Sequence, residues 1–385
     1  MTAVSSSQDG GQLDERADAL ALLTSVHIPR RRNRFLPTRG AALFSIQRGK
    51  FDRVMGRWRR FADSLDIFAK AFTSNAVAAL RAHTMRHLWL GIFSIALLAI
   101  SACSEGATDS AEDDTGSAFH SPYFSVTVSG VGPDIILVPG LASSGAVWDG
   151  TVSALKDRFT LHVIQVNGFA GAPAAGNAGN ENVLEDLAAA LSLYANQLDA
   201  PPTLIGHSLG GLVAMQTALQ ADAELRQLVI VDVLPFFSVL MDPAASAESI
   251  APISAFMKAT LLSQSDDVFE QRQAEALGAL VKSEDDLQQA LTWSIESDRA
   301  VMAQAMSEVL VTDLRSDVSK ITVPTTILYA KDDDIPNMDV VERYYQDLYA
   351  PLPEHDLIAI EAALHFIMLD QPEVFVATLN TLLDD

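Results

Sequence analysis

The chain has 385 residues, 49% of them hydrophobic, which is enough for the packed core of one large domain or two ordinary ones and excludes disorder throughout. Its formal net charge of −23 is unevenly spread: residues 1–103 carry 15 Lys and Arg against 7 Asp and Glu, and residues 104–385 carry 11 against 42. The field of that acidic second part repels phosphate, which excludes nucleic-acid or anionic-headgroup binding through charge there.

Residues 1–84 form a basic extension that includes Arg30-Arg31-Arg32 and Arg59-Arg60. It precedes an internal Met85 that makes sense as the true start. Met85-Arg86-His87 leads into Leu88 to Ala102, fifteen residues without charge, and then to Cys103 and a polar run. A basic start, a short apolar segment and a small-residue exit are the layout of a secretory signal over 85–102. The segment is short for a membrane span, which needs about 20 apolar residues. Ile100-Ser101-Ala102-Cys103 resembles the lipobox of bacterial lipoproteins, and Cys103 is the only cysteine of the chain. That resemblance implies cleavage before Cys103, lipidation of its thiol, and a cell-envelope location with a membrane anchor, or secretion if the cysteine is not lipidated. Residues 103–122 then serve as a flexible acidic tether.

From residue 123 onward short β-branched runs alternate with helical stretches, the pattern of an α/β domain with a mostly parallel sheet flanked by helices. Tyr123 to Val128 reads as a leading strand, Asp134 to Val138 as a buried central strand, and Phe159 to Val166 as the next. A helix is expected over Asn182 to Leu198, with Val183, Leu187, Leu191 and Tyr194 on one face. The very short strand Thr203 to Ile205 precedes a helix from Leu209 to Leu219. Leu228 to Val231, Thr325 to Tyr329 and Leu357 to Ile360 read as further strands, and Pro372 to Leu383 as a closing helix with proline in its permissive first turn. Residues 233–320 have helical but no strand character, as expected of a cap inserted over the site. The cap's Phe236, Phe237, Met241, Phe256, Met257, Met302 and Met306 suit either an apolar acyl pocket or an ordinary helical core.

Gly206-His207-Ser208-Leu209-Gly210 matches G-x-S-x-G and sits between a short apolar strand and an amphipathic helix. The spacing has a steric cause: a serine on a tight strand-to-helix turn needs small neighbours so that strand and helix can approach. Ser208 is therefore the candidate nucleophile. A serine hydroxyl needs a base at neutral pH. Of the eight histidines, His27, His83 and His87 precede the domain and His120 lies in the tether. His162 alternates within a strand, His355 precedes one, and His207 is too close in sequence to reach its neighbour's hydroxyl. His365 remains, on the loop between the last strand and the last helix.

Gly206 to Gly211 together with Ala363-Leu364-His365-Phe366-Ile367-Met368-Leu369-Asp370-Gln371-Pro372 resembles the α/β-hydrolase superfamily over residues 123–385, apart from the cap. The resemblance implies that His365 is the general base and that an acid follows the strand after the cap. There, Ala330-Lys331-Asp332-Asp333 stands in place of G-x-x-D. That register selects Asp333, with Asp332, Asp334 and above all Asp232 as rivals. It also implies an oxyanion hole from the Leu209 amide and, after Pro139-Gly140, the Leu141 amide. The expected function is hydrolysis of a carboxylic ester, or of a thioester or C–C bond, through an acyl-enzyme. The expected substrate is a small, apolar acyl compound, with no cofactor and no metal. A non-catalytic binding protein of the same fold is the rival reading.

Overall fold

The computed structural model describes residue 119 and residues 121–384. The chain divides into two units, 1–102 and 103–385, and the described residues all belong to the second. The basic extension 1–84, the signal-like segment 85–102, Cys103 and most of the tether lie outside the described residues. No helix among the described residues is long and apolar enough to cross a membrane.

Among the described residues seven strands form one sheet: β1 (Phe124–Gly130), β2 (Asp134–Val138), β3 (Thr160–Val166), β4 (Thr203–His207), β5 (Gln227–Val231), β6 (Thr325–Lys331) and β7 (His355–Glu361). Their order is β1-β3-β2-β4-β5-β6-β7, with β1 antiparallel to β3 and every other pair parallel. Because side chains alternate along a strand, each central strand feeds both faces of the sheet. Ile136, Val138, Leu204 and Ile230 belong to one buried cluster, and Ile135, Leu137, Ile205 and Val229 to the other. This is why β2 and β5 read as unbroken apolar runs: helices cover both faces.

The first cluster packs under α2 (Val183–Ala195), α3 (Leu209–Ala218) and α8 (Met338–Tyr349). The second packs under α1 (Asp149–Leu155) and α10 (Pro372–Leu383), where buried Trp148 stacks on Phe375 with ring centroids 6.1 Å apart. A one-turn helix, α9 (Ile367–Asp370), leads into α10. His162 on β3 is buried and structural. Its Nε2 donates to Asp134 Oδ1 at 2.8 Å, and its Nδ1 takes the Tyr194 hydroxyl at 2.6 Å, tying β2, β3 and α2 together.

The expected elements through residue 231 are present, with no end shifted by more than three residues. Helix α8 is not among the sequence expectations. Its signal is Val341, Tyr345 and Tyr349 at intervals of four, hidden by the acidic and turn-like residues that precede it.

Between β5 and β6 the described elements are all helical: α4 (Ala247–Ser263), α5 (Asp266–Leu277), α6 (Glu284–Glu296) and α7 (Arg299–Val311), with 3-10 turns at Phe237–Leu240 and Val318–Lys320. Side chains stop the helices cleanly: Ser246 and Ser249 form a reciprocal capping box on α4, and Asp298 accepts from the Ala300 and Val301 amides of α7. The cap is bolted to the sheet domain through backbone and carboxylate bonds. Glu308 of α7 accepts both the Val183 and Leu184 amides at the N-terminus of α2, at 2.9 and 2.8 Å. The α6–α7 turn meets the loop after β3 through Asp298 N–H to Gly168 O, at 2.7 Å.

Candidate active site

Ser208 stands between β4 and α3 with φ 54° and ψ −120°, a region that side-chain-bearing residues avoid. The turn is held because its flanks have no room for anything larger than glycine. A Cβ on Gly206 would lie 2.1 Å from Gly210 O, and one on Gly210 would lie 2.4 Å from Val138 O. The elbow is anchored by Ser208 N–H to Val231 O at 2.9 Å. Helix α3 begins immediately after it, with the Leu209 amide at its positive end.

The loop after β2 lies against this elbow. A Cβ on Gly140 would sit 3.3 Å from Ser208 Cβ and 3.0 Å from His207 Nδ1. A turn closed by Ser143 N–H to Gly140 O at 3.2 Å, with Ala142 at φ 54°, places Leu141 at its tip. Among the described residues neither the Leu141 nor the Leu209 amide has an acceptor, so both remain open donors.

His365 is held from two directions. Its Nδ1 donates to Asp232 Oδ2 at 2.7 Å, and its carbonyl accepts from His207 Nε2 at 2.9 Å. The first bond leaves the Nε2 lone pair available to a serine proton. No hydrogen bond joins Ser208 Oγ to His365 among the described residues.

The structure does not bring Asp333 to His365. Asp333 is exposed on the loop after β6, and the carboxylate on His365 belongs to Asp232, at the end of β5. The physical reason is register. Strand β5 ends at Val231, opposite Leu328, whereas β6 stays paired with β7 as far as Lys331 and carries Asp332 to Asp334 onward. Asp232 turns inward with φ 51°, a conformation that aspartate tolerates. Its Oδ1 takes the Ala330 amide at 2.8 Å and the Tyr345 hydroxyl at 3.0 Å. Of the other two rivals, Asp332 pairs with Lys282 and also accepts the Asp334 amide at 2.9 Å.

Burial by itself pushes the Asp232 carboxyl up. The hydrogen bond from His365, the positive charge of that imidazole when it is protonated, and the Ala330 amide outweigh it and bring the group below the usual carboxylate range. Tyr345 is pushed well above its ordinary value by burial and by the charge of Asp232, so it remains a neutral donor. Four of the seven described non-glycine residues at positive φ, Ala142, Ser208, Asp232 and Ala362, belong to the elbow and the three loops around it. Backbone strain is thus concentrated at the site.

His207 is buried, and burial first, then the charge of His365, push it down to about 3. It is accordingly neutral and donates through Nε2. The folded state keeps this imidazole unprotonated while the unfolded chain protonates it near 6.5, so its contribution is full above pH 6.5 and is lost as pH falls toward 3. Urea unfolding at pH 7 and pH 5 is expected to differ by on the order of 2 kcal/mol from this group alone. In His207→Gln the difference shrinks by that amount. An unchanged pH slope in the variant would show that His207 carries no such linkage.

Of the seven cap residues that suit an acyl pocket, two gather at the site. Met302 is buried with Ala142, Leu261, Phe269 and Ala303, and Met306 and Leu141 pack against that group. Phe237, Met241 and Phe256 are exposed, whereas Phe236 is buried in the core beneath Arg315. A hollow of about 460 Å³ lies elsewhere, between Phe119, Phe124, Asn167 and Tyr194, and none of the residues around Ser208 lines it.

A model of the alpha/beta hydrolase family matches residues 135–378, from β2 into α10. The chain belongs to the alpha/beta hydrolase family. Among curated relatives of this hydrolase is the pimeloyl-[acyl-carrier protein] methyl ester esterase of Nitrosomonas europaea. It is 26% identical over 264 residues, which are 67% of this chain and 98% of the relative. The enzyme of the same name from Vibrio atlanticus is 30% identical over 262 residues, 66% of this chain and 95% of that one. Solved structures of the same fold include an esterase from Exiguobacterium antarcticum, with a TM-score of 0.56 at 18% identity, covering 68% of this chain and 96% of that one. An enol-lactonase from Burkholderia xenovorans gives 0.55 at 16%, covering 68% and 96%.

Proposed function

We propose that this hydrolase is a serine esterase acting through Ser208, His365 and Asp232. The observation that carries the reading is the 2.7 Å bond from His365 Nδ1 to Asp232 Oδ2 beside a serine at φ 54°. His365 Nε2 takes the Ser208 proton as Oγ attacks the ester carbonyl, and the Leu141 and Leu209 amides hold the resulting oxyanion. Collapse expels the alcohol, which receives that proton from His365, and leaves an acyl-Ser208. Water, deprotonated by His365 in turn, then releases the acid and restores the serine. Asp232 orients the imidazole and stabilises its cation without taking the proton.

The acyl group lies against Leu141, Met302 and Met306, which favours an apolar chain. The relatives are named for an ester presented on a carrier protein; this chain favours a free, uncharged ester. Residues 233–324 hold 6 Lys and Arg against 14 Asp and Glu. Four of those cations are engaged in ion pairs: Lys282 with Asp332, Arg299 with Asp266, Arg315 with Asp313 and Lys320 with Asp317. Such a cap offers no basic face to an acidic or phosphate-bearing carrier. A fluorophosphonate probe should label the wild-type protein and leave Ser208→Ala unlabelled, and absence of label on the folded wild type sinks the esterase reading. In a substrate panel, neutral p-nitrophenyl acetate and butyrate should be turned over faster than the same acyl group on a phosphate-bearing carrier at low salt. The reverse ranking rejects the carrier-free assignment.

The location proposed for the enzyme is the cell envelope, through lipid on Cys103. Its support is the lipobox-like run Ile100 to Cys103 and the presence of a single cysteine. Metabolic labelling with a fatty acid should mark the protein and be lost in Cys103→Ala. A wild type that takes up no label refutes the anchor.

A further inference from the structure

The loop that carries His365 is gripped on both sides by one turn of the cap. On the far side of the histidine, Phe366 N–H donates to Leu280 O at 3.1 Å. On the near side, Leu364 N–H donates to Asp370 Oδ2 at 2.7 Å, and the other oxygen of that carboxylate accepts the Lys282 amide at 2.8 Å. Leu280 and Lys282 belong to the turn between α5 and α6, so residues 364 and 366 are both referred to the same short piece of cap. The Lys282 side chain continues the chain of contacts to Asp332, beyond the end of β6. Gln371 closes the loop on its own side through Nε2 to Ala362 O at 2.8 Å.

Nothing in the triad chemistry requires this arrangement. Asp232 fixes the imidazole ring and His207 fixes the histidine carbonyl, whereas the Asp370 carboxylate touches neither the ring nor Ser208. It joins two backbone amides from separate parts of the molecule, the base loop and the cap. A carboxylate suits that task because it accepts on both oxygens at once, with charge-assisted bonds to each amide. Asparagine, with one accepting oxygen and one NH2 donor, satisfies only one of the two.

We infer that Asp370 is a positioning residue that couples the cap to the general base, so that the placement of the α5–α6 turn sets the placement of His365. The inference rests on His365 being the base, as proposed above. A shift of about 1 Å in a positioned catalytic group is enough to cost about 100-fold in rate. The bolt therefore acts on the chemical step far more than on binding.

The test compares Asp370→Asn, Asp370→Glu, Lys282→Pro, which removes the cap amide, and the double variant Asp370→Asn with Lys282→Pro. The substrate is p-nitrophenyl butyrate, and thermal melting is followed in parallel. Wild type and Ser208→Ala are run first: if hydrolysis is absent or does not depend on Ser208, the esterase reading has failed, and Asp370 is then judged by melting and by probe labelling of Ser208 alone. With Ser208-dependent hydrolysis in hand, Asp370→Asn is expected to lower kcat by about 10- to 100-fold with KM within about threefold. Asp370→Glu, which keeps two acceptors, should recover part of the loss. Lys282→Pro should also lower kcat, and the double variant should be no worse than the poorer single one, because both cut the same link. The rate of fluorophosphonate labelling of Ser208 should fall in step. The inference is overturned if Asp370→Asn lowers the melting temperature but keeps kcat and the labelling rate, which marks a purely structural bolt. Losses that multiply in the double variant overturn it as well, since they show that Asp370 and the cap turn act separately.

Discussion

Replacing Ser208 with alanine is expected to lower kcat for an activated ester by about a million-fold, to the level left by the oxyanion hole and binding alone. The size of the effect follows from the role proposed for Ser208: without Oγ no acyl-enzyme can form, and His365 has no proton to receive. The substitution is also nearly free of structural side effects except at one point. Ser208 is held at φ 54°, where any residue with a side chain is strained, so alanine keeps the strain and loses only the hydroxyl. Steady-state hydrolysis of p-nitrophenyl acetate by the folded variant checks it, and retention of more than about one part in a thousand would mean that another group is the nucleophile.

The second large effect separates the two candidate acids. Asp232→Asn should lower kcat by about ten-thousand-fold, because an amide turned toward His365 Nδ1 stabilises the wrong tautomer and no imidazolium. Asp333→Asn should change kcat by less than about twofold, since the residue is exposed and holds nothing at the site. Asp232 also accepts from Ala330 N–H and Tyr345 Oη–H, so the variant leaves those donors partly unmatched and some loss of thermal stability accompanies the loss of rate. Measuring kcat for both variants on one ester decides the assignment: a large loss in Asp333→Asn with activity kept in Asp232→Asn would return the acid to the loop after β6.

As candidates, Ser208 and His365 are legible from local pattern. Gly206 is needed because strand β4 and helix α3 nearly touch, and Gly210 because α3 lies against the end of β2; both glycines fall within five consecutive residues. The late histidine was found by excluding seven others on their places in the chain. Asp232 was visible only as a rival. Three aspartates follow β6 and one follows β5, and sequence proximity to a strand end cannot say which strand stops first. Which carboxylate meets His365 is set by pairing: β5 ends opposite Leu328 while β6 runs three residues further. Tyr345 was missed together with its helix, and its signal, an apolar repeat every four residues from Val341, was obscured by the acidic turn before it.

The residues of the cap show the same division. Their Met and Phe content is plain in the sequence; Met302 and Met306 pack with Leu141 and Ala142 of the loop after β2, whereas Phe237, Met241 and Phe256 are exposed. Composition sets how much apolar surface a segment has, and helix packing sets where that surface goes.

By itself the sequence determined that this chain carries a parallel α/β sheet, a strained serine elbow and a late histidine, because each depends on residues adjacent in the chain or repeated at a fixed period. Only the tertiary structure decided that Asp232 holds His365, that Tyr345 steadies Asp232, and that Asp370 ties the base loop to the cap. Those bonds span 133, 113 and 88 residues, with the Asp370 distance counted to Lys282. No local pattern constrains a carboxylate to a partner that far away; strand length, register and the direction of a single turn do.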